Sequence, residues 1–545
     1  MISNIKRAIR KHGYLEMILT IIALVEGITR FHALYDAMYV VNHGLPQELR
    51  EGVAVKLAVE FAKGNNPYSV AYNEINVPII NHYGWFTAFF LSIFLRVAKI
   101  FTIARPEIIC TLVTLGIIAI GCLAMWGAAY EYSKNLFIST IASVIALSCY
   151  WRLTFNGGSF PDAYGLTLSF ILMWIVEYDN KRKKYRLPLY ILIVIIMFYT
   201  KQYFVLCGVG IFIWLLVHDK RVAIRYLIYG FVSGIVSMIL VNLWLPLYFT
   251  ESLLYSGGTN TSDHNVEYEK MQFQVMYDSY KPLFMILICC AIVSAMSVVV
   301  IVKKKNYEDL KKAKLIVRYD AVMAFLGGLA CIRIGQHAGA LYSYYLQIWI
   351  PYILSFSLVC ANEIAKRNIK DNQYTSVLVM LLLLLVPKTC DRFYNTAYVS
   401  EENMHNWTNV YSALDKYSCG DGTKILVGDP LSFYAIERNY EAYDYGSNEY
   451  AYYGLLNDVN PSIISFFPRA EWLIERVENT RLEARNKIEE GAYSCLAIMQ
   501  GNPCGITTDF VDKTGKYELD FEADLQTGGQ VWHTYVYRAK EMSDE

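Results

Sequence analysis

The stretch from Glu107 to Tyr130 reads EIICTLVTLGIIAIGCLAMWGAAY, and residues 108–130 carry no charged side chain. A helix of roughly 20 apolar residues crosses the hydrocarbon core of a bilayer, and soluble domains seldom keep so long an uncharged run. Eleven further apolar stretches resemble this one, and together the twelve fill residues 13–392. The sequence therefore predicts a mainly α fold: a polytopic transmembrane helical bundle of about 11–12 spans.

The overall composition agrees with a membrane protein and disfavours a nucleic-acid partner. The 545 residues are 55% hydrophobic and only 18% charged, and the formal net charge is zero. A nucleic-acid-binding surface needs an excess of cations that this chain lacks. The lipid bilayer is therefore the expected environment.

Clusters of Lys and Arg between the apolar stretches predict the orientation, because such clusters favour the cytoplasm. They lie at Lys6–Lys11, Arg96–Arg105, Lys181–Arg186, Lys220–Arg225, Lys303–Lys314 and Lys366–Lys370. The N-terminus is then a retained cytoplasmic anchor, and the first outer loop (31–82), the turn near Lys201 and the region from 393 onward face outward.

Three apolar runs conflict with this orientation. Runs 107–130, 135–155 and 163–178 lie between two clusters that are both assigned to the cytoplasm. An odd number of crossings cannot return to the same side, so one of the three is expected to be a partial or re-entrant helix.

The first outer loop contains a patterned segment. Apolar residues recur at helical spacing from Glu51 to Ala62, which predicts an amphipathic helix lying on the membrane surface. The helix is expected to stop at Gly64-Asn65-Asn66-Pro67-Tyr68. Pro78, His82 and Tyr83 then lead into the next apolar run.

These elements resemble the C-type glycosyltransferase superfamily (the GT-C fold), multispan enzymes that take a sugar from a polyprenyl-phosphate carrier. The resemblance rests on positions along the whole predicted membrane part of the chain. They are Glu51-Gly52, Gly64, Pro67-Tyr68, Pro78 with Tyr83, Phe160-Pro161-Asp162, Tyr199-Thr200-Lys201-Gln202, and Ile334-Gly335 with Tyr344-Tyr345-Leu346-Gln347. Gln347 departs from the pattern, because an acid is common there.

The resemblance implies a glycosyl transfer that needs a base for the acceptor hydroxyl and cations for the leaving phosphate. Glu51 is the expected catalytic base, with Glu48 as its rival; a helix-start acid that only favours the dipole is the alternative. Asp162 is expected to orient the acceptor or hold a metal, or else to be an ordinary cap. Lys201 is expected to bind phosphate, or else to snorkel at the interface.

Four further residues are candidates for substrate binding. Arg333 and His337 lie at another outward turn and are expected to grip the phosphate, while His82 and Tyr83 are expected to line the acceptor site. Structural roles as helix-end and interfacial residues are the alternatives. Loop 249–281 is either a lid or a solvated connector.

Residues 393–545 change to a mixed polar composition and predict a soluble extracytoplasmic α/β domain. Strands are predicted at 424–429, 493–499 and 531–537, with a helix at 471–490. Cys495 and Cys504 either form a local disulfide or remain free thiols. The chain has no dense acidic cluster such as DxD, so no cofactor is predicted and a divalent metal ion is not indicated.

The preferred hypothesis is an integral plasma-membrane glycosyltransferase with a polyprenyl-phosphate sugar donor and a cell-envelope glycan or lipid acceptor on the outer face. A transporter or flippase of lipid-linked sugars is the first alternative, although such proteins favour internal repeats and ionisable groups at the bilayer midplane. A non-catalytic membrane scaffold is the second.

Overall fold

The structure is a computed structural model that describes eleven ranges of the chain and six isolated residues. They are 14–36, 51–81, 83–100, 105–155, 160–254, 318–337, 400–428, 430–443, 469–500, 505–527 and 530–540, with the isolated residues 270, 274, 349, 352, 355 and 467. Glu48, His82, Cys504, Gln347 and most of loop 249–281 lie outside them.

Helices make up most of the described chain, as predicted. In the part before residue 393 they are α1 (Tyr14–Tyr35), α2 (Glu51–Lys63), α3 (Val70–Ile75), α4 (Trp85–Ile100), α5 (Pro106–Ser133), α6 (Leu136–Phe155), α7 (Phe160–Arg182), α8 (Leu187–Thr200), α9 (Leu206–His218), α10 (Lys220–Trp244) and α11 (Tyr319–His337). A 3₁₀ turn, Gln202–Val205, joins α8 to α9, and a π-helical turn, Thr250–Leu254, follows α10.

Three helices of the described residues are long and apolar enough to cross a membrane: Glu16–Tyr35 of α1, α5 and α10. Shorter apolar helices include most of α6, α8 and α9 and the first part of α11. Membrane association is therefore compatible with the fold. The larger number of spans that the sequence predicts extends into segments outside the described residues.

The prediction that one of the runs between 107 and 178 is a partial or re-entrant helix stays a prediction, because of the three helices that these runs form only α5 is a candidate span. These runs form α5, α6 and α7, with 28, 20 and 23 residues. At 1.5 Å per residue each helix is at least about 30 Å long, which matches the hydrocarbon thickness. α8 and α9, with 14 and 13 residues, are too short to cross straight, as is the apolar α4 with 16 residues.

Arg105 and Lys181, which belong to these two basic clusters, lie at opposite ends of α5. Arg105 bonds Glu107 at the start of α5 at 2.7 Å, and Lys181 bonds Glu131 near its end at 2.9 Å. The two carboxylates are about 36 Å apart along the helix. We call the Arg105 end of the bundle the domain end and the Lys181 end the far end.

α7 runs parallel to α5, and this places the start of α7 at the domain end. The Thr167 hydroxyl donates to the Ile117 carbonyl at 3.1 Å in the first half of both helices, and Lys181 near the end of α7 binds Glu131 near the end of α5. α1 begins at the far end, where a Glu16 carboxylate oxygen accepts the Leu136 backbone N–H at 2.9 Å. The N-terminal anchor and the start of α7 therefore lie at opposite ends.

α2 has the bounds that its pattern predicts, while its expected position on the membrane surface stays a prediction. It ends before Gly64, whose φ of 91° lies in the left-handed region where glycine is favoured. Both faces are buried, including Val53, Val55 and Leu57. α4 covers one side, and the C-terminal region packs against another.

The C-terminal region forms the predicted α/β unit around a five-stranded sheet. Its elements are α12 (Glu401–Ser418), β1 (Ile425–Val427), α13 (Ser432–Arg438), β2 (Glu441–Ala442), α14 (Ala470–Glu490), β3 (Cys495–Met499), α15 (Thr508–Thr514), β4 (Tyr517–Thr527) and β5 (Gln530–Ala539). The strand order is β2-β1-β3-β5-β4; β1 is parallel to β2 and β3, and β5 is antiparallel to β3 and β4.

Alternating side chains of this sheet enter two different cores. Leu426 and Leu496 pack with α14, whereas Ile425 and Ala497 join a core shared with α12, α2 and α4. That second core crosses the boundary at residue 393, so the C-terminal unit packs on the first outer loop. Cys495 is a free, buried thiol, so it forms no disulfide with Cys504.

Candidate active site

A buried ion pair between Asp162 and Lys201 lies at the domain end. Asp162 follows Pro161 in the first turn of α7, and Lys201 follows the last residue of α8 in an extended conformation. The Lys201 Nζ donates to both carboxylate oxygens, at 2.8 and 3.0 Å. Asp162 is fully buried and Lys201 is 7% exposed.

Two tyrosines surround this ion pair. The Lys201 Nζ lies 4.4 Å from the ring centroid of Tyr83 and 5.3 Å from that of Tyr203. The Tyr203 hydroxyl also donates to the Asp162 carboxylate. Aromatic faces attract an ammonium group more strongly where water is excluded, so both rings help to hold the charge of Lys201.

Gly84 allows the Tyr83 segment to approach the end of α8. Its backbone N–H donates to the Thr200 carbonyl at 3.1 Å. A Cβ on residue 84 would lie 1.7 Å from the Tyr199 carbonyl oxygen, so the close approach requires glycine. This contact fixes Tyr83 beside Lys201.

Asn81 links the same segment to the first outer loop. Its Oδ1 accepts the backbone N–H of Tyr83 at 3.0 Å, and its Nδ2 donates to the Tyr68 hydroxyl at 3.0 Å. Tyr68 is fully buried, and its carbonyl accepts the backbone N–H of Leu247 at 3.0 Å. A continuous set of contacts therefore joins Lys201 to the segment that follows α10.

The ion pair changes the interpretation of Lys201. A lone ammonium near hydrocarbon costs roughly 2–3 kcal/mol on insertion scales, which is why the sequence suggests a phosphate partner or snorkelling. In the structure the immediate partner is Asp162, and the pair has no net charge. An anionic ligand that reaches Lys201 would compete with this carboxylate.

The structure brings together three of the predicted site residues: Asp162, Lys201 and Tyr83. Glu51 begins α2, and Arg333 and His337 lie in the last turns of α11. The side chains of these three residues fall outside the described part of the structure. The roles proposed for all of them stay predictions.

Two residues of the site were not identified from the sequence. Tyr203 stands two positions after Lys201, so the pattern KQY was the available signal. Glu251 lies in loop 249–281, within the stretch YFTESLLY. A single acid among aromatic and apolar residues is only a weak sequence signal for a functional residue. Glu251 is fully buried at the domain end, beside Tyr68.

A second buried ionic group lies at the far end. The Arg318 guanidinium binds the Asp320 carboxylate, covers the Tyr132 ring at 3.8 Å from its centroid and interacts with the nearby Glu177. The Ser355 hydroxyl donates to Asp320 at 3.1 Å. Two acids thus share one guanidinium inside the bundle.

The described residues contain no group of three His, Cys, Asp or Glu side chains placed to hold a metal ion. Their fold defines a mostly helical protein with three helices able to cross a membrane and a small C-terminal sheet. No protein-family model matches the chain, and no curated protein matches it either.

Proposed function

We propose that this chain is an integral membrane glycosyltransferase that moves a sugar from a polyprenyl-phosphate-linked donor to a cell-envelope glycan or lipid acceptor. The observation that carries the proposal is the buried Asp162–Lys201 pair, flanked by Tyr83 and Tyr203, at the domain end. A cation kept charged in a water-poor place is what a leaving lipid phosphate requires.

Asp162 maintains the charge of Lys201 between turnovers. Burial alone disfavours the charged form of an ammonium group, whereas a carboxylate at 2.8 Å favours it. When the donor binds, its phosphate takes up part of the contact that Asp162 makes. Asp162 is in this proposal a positioning residue, and Lys201 is the residue that touches the leaving group.

The transfer step balances with the residues of the chain and the two substrates. The acceptor hydroxyl oxygen forms a bond to the anomeric carbon, and the bond between that carbon and the phosphate oxygen breaks. The electron pair stays on the phosphate, which Lys201 stabilises, and the hydroxyl proton passes to a carboxylate. Glu51 is the proposed base, because it begins α2 where backbone N–H groups favour an anion.

The distribution of cations supports an outer location of the site. The N-terminus of α1 lies at the far end, together with an excess of basic residues. These are Lys134, Lys181, Arg182, Lys183, Lys184, Arg186, Lys220 and Arg221. By the positive-inside rule the far end is cytoplasmic, so the domain end and the C-terminal α/β unit are extracytoplasmic.

One observation favours the alternative of a transporter or flippase for lipid-linked sugars. The Glu177–Arg318–Asp320 group places buried ionisable side chains inside the bundle at the far end. Transport proteins use such groups along a substrate path. A transporter would therefore need both ionic groups, whereas the transferase needs the Asp162–Lys201 pair.

The test is a transfer assay with the full chain in lipid vesicles, labelled polyprenyl-phosphate sugars and a membrane extract as acceptor. Glu51→Gln and Lys201→Met are each expected to lower transfer by at least ~10²-fold. Glu60→Gln is the matched control, because Glu60 lies on the same helix but is paired with Lys56 and Lys63. Absence of transfer by the parent chain, with movement of label across the bilayer, would establish the transporter instead.

A further inference from the structure

The segment between α3 and α4 connects the C-terminal unit to the buried ion pair. We call it the strap and define it as residues 77–81 with Tyr83 and Gly84, which belong to neither a helix nor a strand. A segment without the regular hydrogen-bond ladder of a helix or sheet is positioned by the contacts that its residues make. The contacts of the strap therefore decide where the Tyr83 ring lies.

One side chain of the strap is part of a hydrophobic core of the C-terminal unit. Ile80 is fully buried in the core that α14 forms with one face of the sheet, together with Leu426 and Leu473. Among the described residues, Ile80 is the only member of this core that precedes residue 393. Its neighbour Ile79 enters the core that the other face of the sheet shares with α2 and α4. Two adjacent side chains thus fasten the strap to the C-terminal unit.

Arg476 of α14 provides a second anchor just before the strap. Its Nε donates to the Asn73 carbonyl at 2.7 Å, and its Nη2 donates to the Asn76 carbonyl at 3.5 Å. Asn73 lies in α3, and Asn76 caps the end of that helix. A cation is favoured there, because the last carbonyls of a helix have no partner within it. α14 therefore holds both the start of the strap and its Ile80 side chain.

The other end of the strap carries the contact with the ion pair. Asn81 directly follows Ile80, and its Oδ1 accepts the backbone N–H of Tyr83 at 3.0 Å. The Tyr83 ring then lies 4.4 Å from the Lys201 Nζ. From Ile80 to Tyr83 the chain advances three residues, at most about 10 Å when extended. A displacement of Ile80 is therefore passed directly to the ring that covers Lys201.

We propose that Ile80 and Arg476 are positioning residues of the candidate site. Through the strap they hold the Tyr83 ring over Lys201, so the site is assembled only while the C-terminal unit is docked on the first outer loop. The catalytic consequence rests on the proposed function: an ammonium group that becomes hydrated stabilises a leaving phosphate less well. The cover over Lys201 itself can be measured without any transfer.

The first test measures how well Lys201 is covered. The full chain in lipid nanodiscs is treated with an amine-acetylating reagent, and the rate of modification at Lys201 is followed by mass spectrometry. Ile80→Ala and Arg476→Ala are each expected to raise this rate at least ~5-fold, because labelling requires local opening and the loss of an anchor makes opening more frequent. Ile80→Val keeps most of the buried side chain and should lie closer to the parent chain than to Ile80→Ala.

Ile488→Ala is the matched control for a general loss of stability. Ile488 is fully buried in the same core as Ile80, but it lies near the end of α14, about 18 Å along the helix from Arg476. It should lower the thermal unfolding midpoint about as much as Ile80→Ala does, and leave the Lys201 rate within about twofold of the parent value.

Two results of the labelling test would overturn the proposal. One is the same acceleration in Ile488→Ala as in Ile80→Ala at similar unfolding midpoints, which would mean that any loosening of the core exposes Lys201. The other is a Lys201 rate that neither Ile80→Ala nor Arg476→Ala changes. Should Ile80→Ala fail to fold, Arg476→Ala decides, because it removes polar contacts and leaves the hydrophobic core intact.

The second readout is the transfer assay, which separates this proposal from the proposed function. Ile80→Ala and Arg476→Ala are expected to lower kcat at least ~10-fold and to change the donor KM less than ~3-fold, because Lys201 acts on charge that develops in the transition state. Accelerated labelling in variants of a parent chain that transfers no sugar would retain the strap and refute the transferase. Undiminished kcat in variants with accelerated labelling would retain the transferase and refute the positioning role.

Discussion

Lys201 shows how a cation is kept in a place that disfavours it. Its ammonium group has a carboxylate at 2.8 Å and the ring of Tyr83 at 4.4 Å, while 7% of the residue is exposed. A buried pair adds little net stability, since desolvation offsets the attraction, but removal of one partner is costly. The pair is therefore better explained by a need for the charge than by stability.

A double-mutant cycle tests that explanation. Asp162→Asn leaves Lys201 without this carboxylate and is expected to lower the free energy of unfolding by about 3–5 kcal/mol. Lys201→Met has a cost of the same order. The combined variant, Asp162→Asn with Lys201→Met, should regain at least half of that loss, as followed by thermal unfolding in detergent.

The cycle also separates stability from function. Sugar transfer should remain absent in the double variant although its stability recovers. Additive losses of stability would mean that the two side chains do not interact in the folded protein, which contradicts the contact.

Gly84 gives a more specific prediction than the ion pair, because it contacts the backbone of Tyr199 and Thr200, which cannot move aside as a side chain can. A methyl group there would lie 1.7 Å from the Tyr199 carbonyl oxygen, so Gly84→Ala must move the Tyr83 segment away from Lys201. We expect a loss of folding stability of several kcal/mol, or little folded protein. Gly116→Ala, where α5 has open space, is the control and should be neutral or stabilising by up to about 1 kcal/mol.

At the scale of elements, α2 shows what a hydrophobic pattern can predict. The spacing of its apolar residues and Gly64 gave the helix and its end. The second covered face was not predictable, because α13, which packs against α2, lies more than 360 residues further along the chain. A pattern describes one chain segment, whereas burial depends on all segments that meet it.

The sequence pattern did not predict the strand β4, for a related reason. Its sequence, YELDFEADLQT, places apolar residues at every second position but is rich in acids, which disfavour strands. A register shift between Leu519 and Phe521 further disturbs the pattern. Pairing with β5 overrides the weak local preference, and pairing is a long-range property.

The β4–β5 hairpin provides a pH-dependent prediction. His533 on β5 lies between Asp524 at 2.6 Å and Glu522 at 3.1 Å, and these carboxylates raise its pKa above the ordinary value of 6.5. A raised pKa in the folded state means that the stabilisation is present below the unfolded pKa and is lost as pH rises through the folded pKa.

Stability should therefore fall as pH rises from slightly acid to mildly alkaline, by no more than a few tenths of a kcal/mol, because the group is partly exposed. Thermal unfolding of the full chain at several pH values measures this fall. His533→Gln should remove this contribution, and an unchanged pH profile in that variant would refute the role of His533.

At the scale of the whole molecule, one basic cluster, Arg96–Arg105, lies at the end of the bundle opposite to the basic residues of the far end. Arg96 donates to the Phe61 carbonyl at 2.5 Å, and Arg105 binds Glu107 and also lies 3.5 Å from Glu437 of the C-terminal unit. These cations make contacts within the protein at the domain end. The positive-inside rule counts charges and takes no account of such partners, so the orientation proposed above departs from the rule at this cluster.

Side-specific labelling tests this arrangement of the two ends. We consider three exposed positions, each changed separately to Cys: Lys99 at the end of α4, Lys183 after α7 and Lys513 in α15. A membrane-impermeant maleimide applied to intact cells should label Lys99→Cys and Lys513→Cys, because α4 and the C-terminal unit lie at the domain end. Lys183→Cys, at the far end, should react only after the membrane is permeabilised.

Lys99 is the decisive position, because the sequence predicts a cytoplasmic location for its cluster, whereas the proposed orientation makes the domain end extracytoplasmic. The parent chain, with its exposed Cys419, provides the blank for all three variants. Labelling of Lys183→Cys in intact cells, with protection of Lys513→Cys, would invert the proposed orientation. Protection of Lys99→Cys beside a labelled Lys513→Cys would instead mean that α4 crosses the bilayer, and Tyr83 and Arg105 would then be on opposite sides.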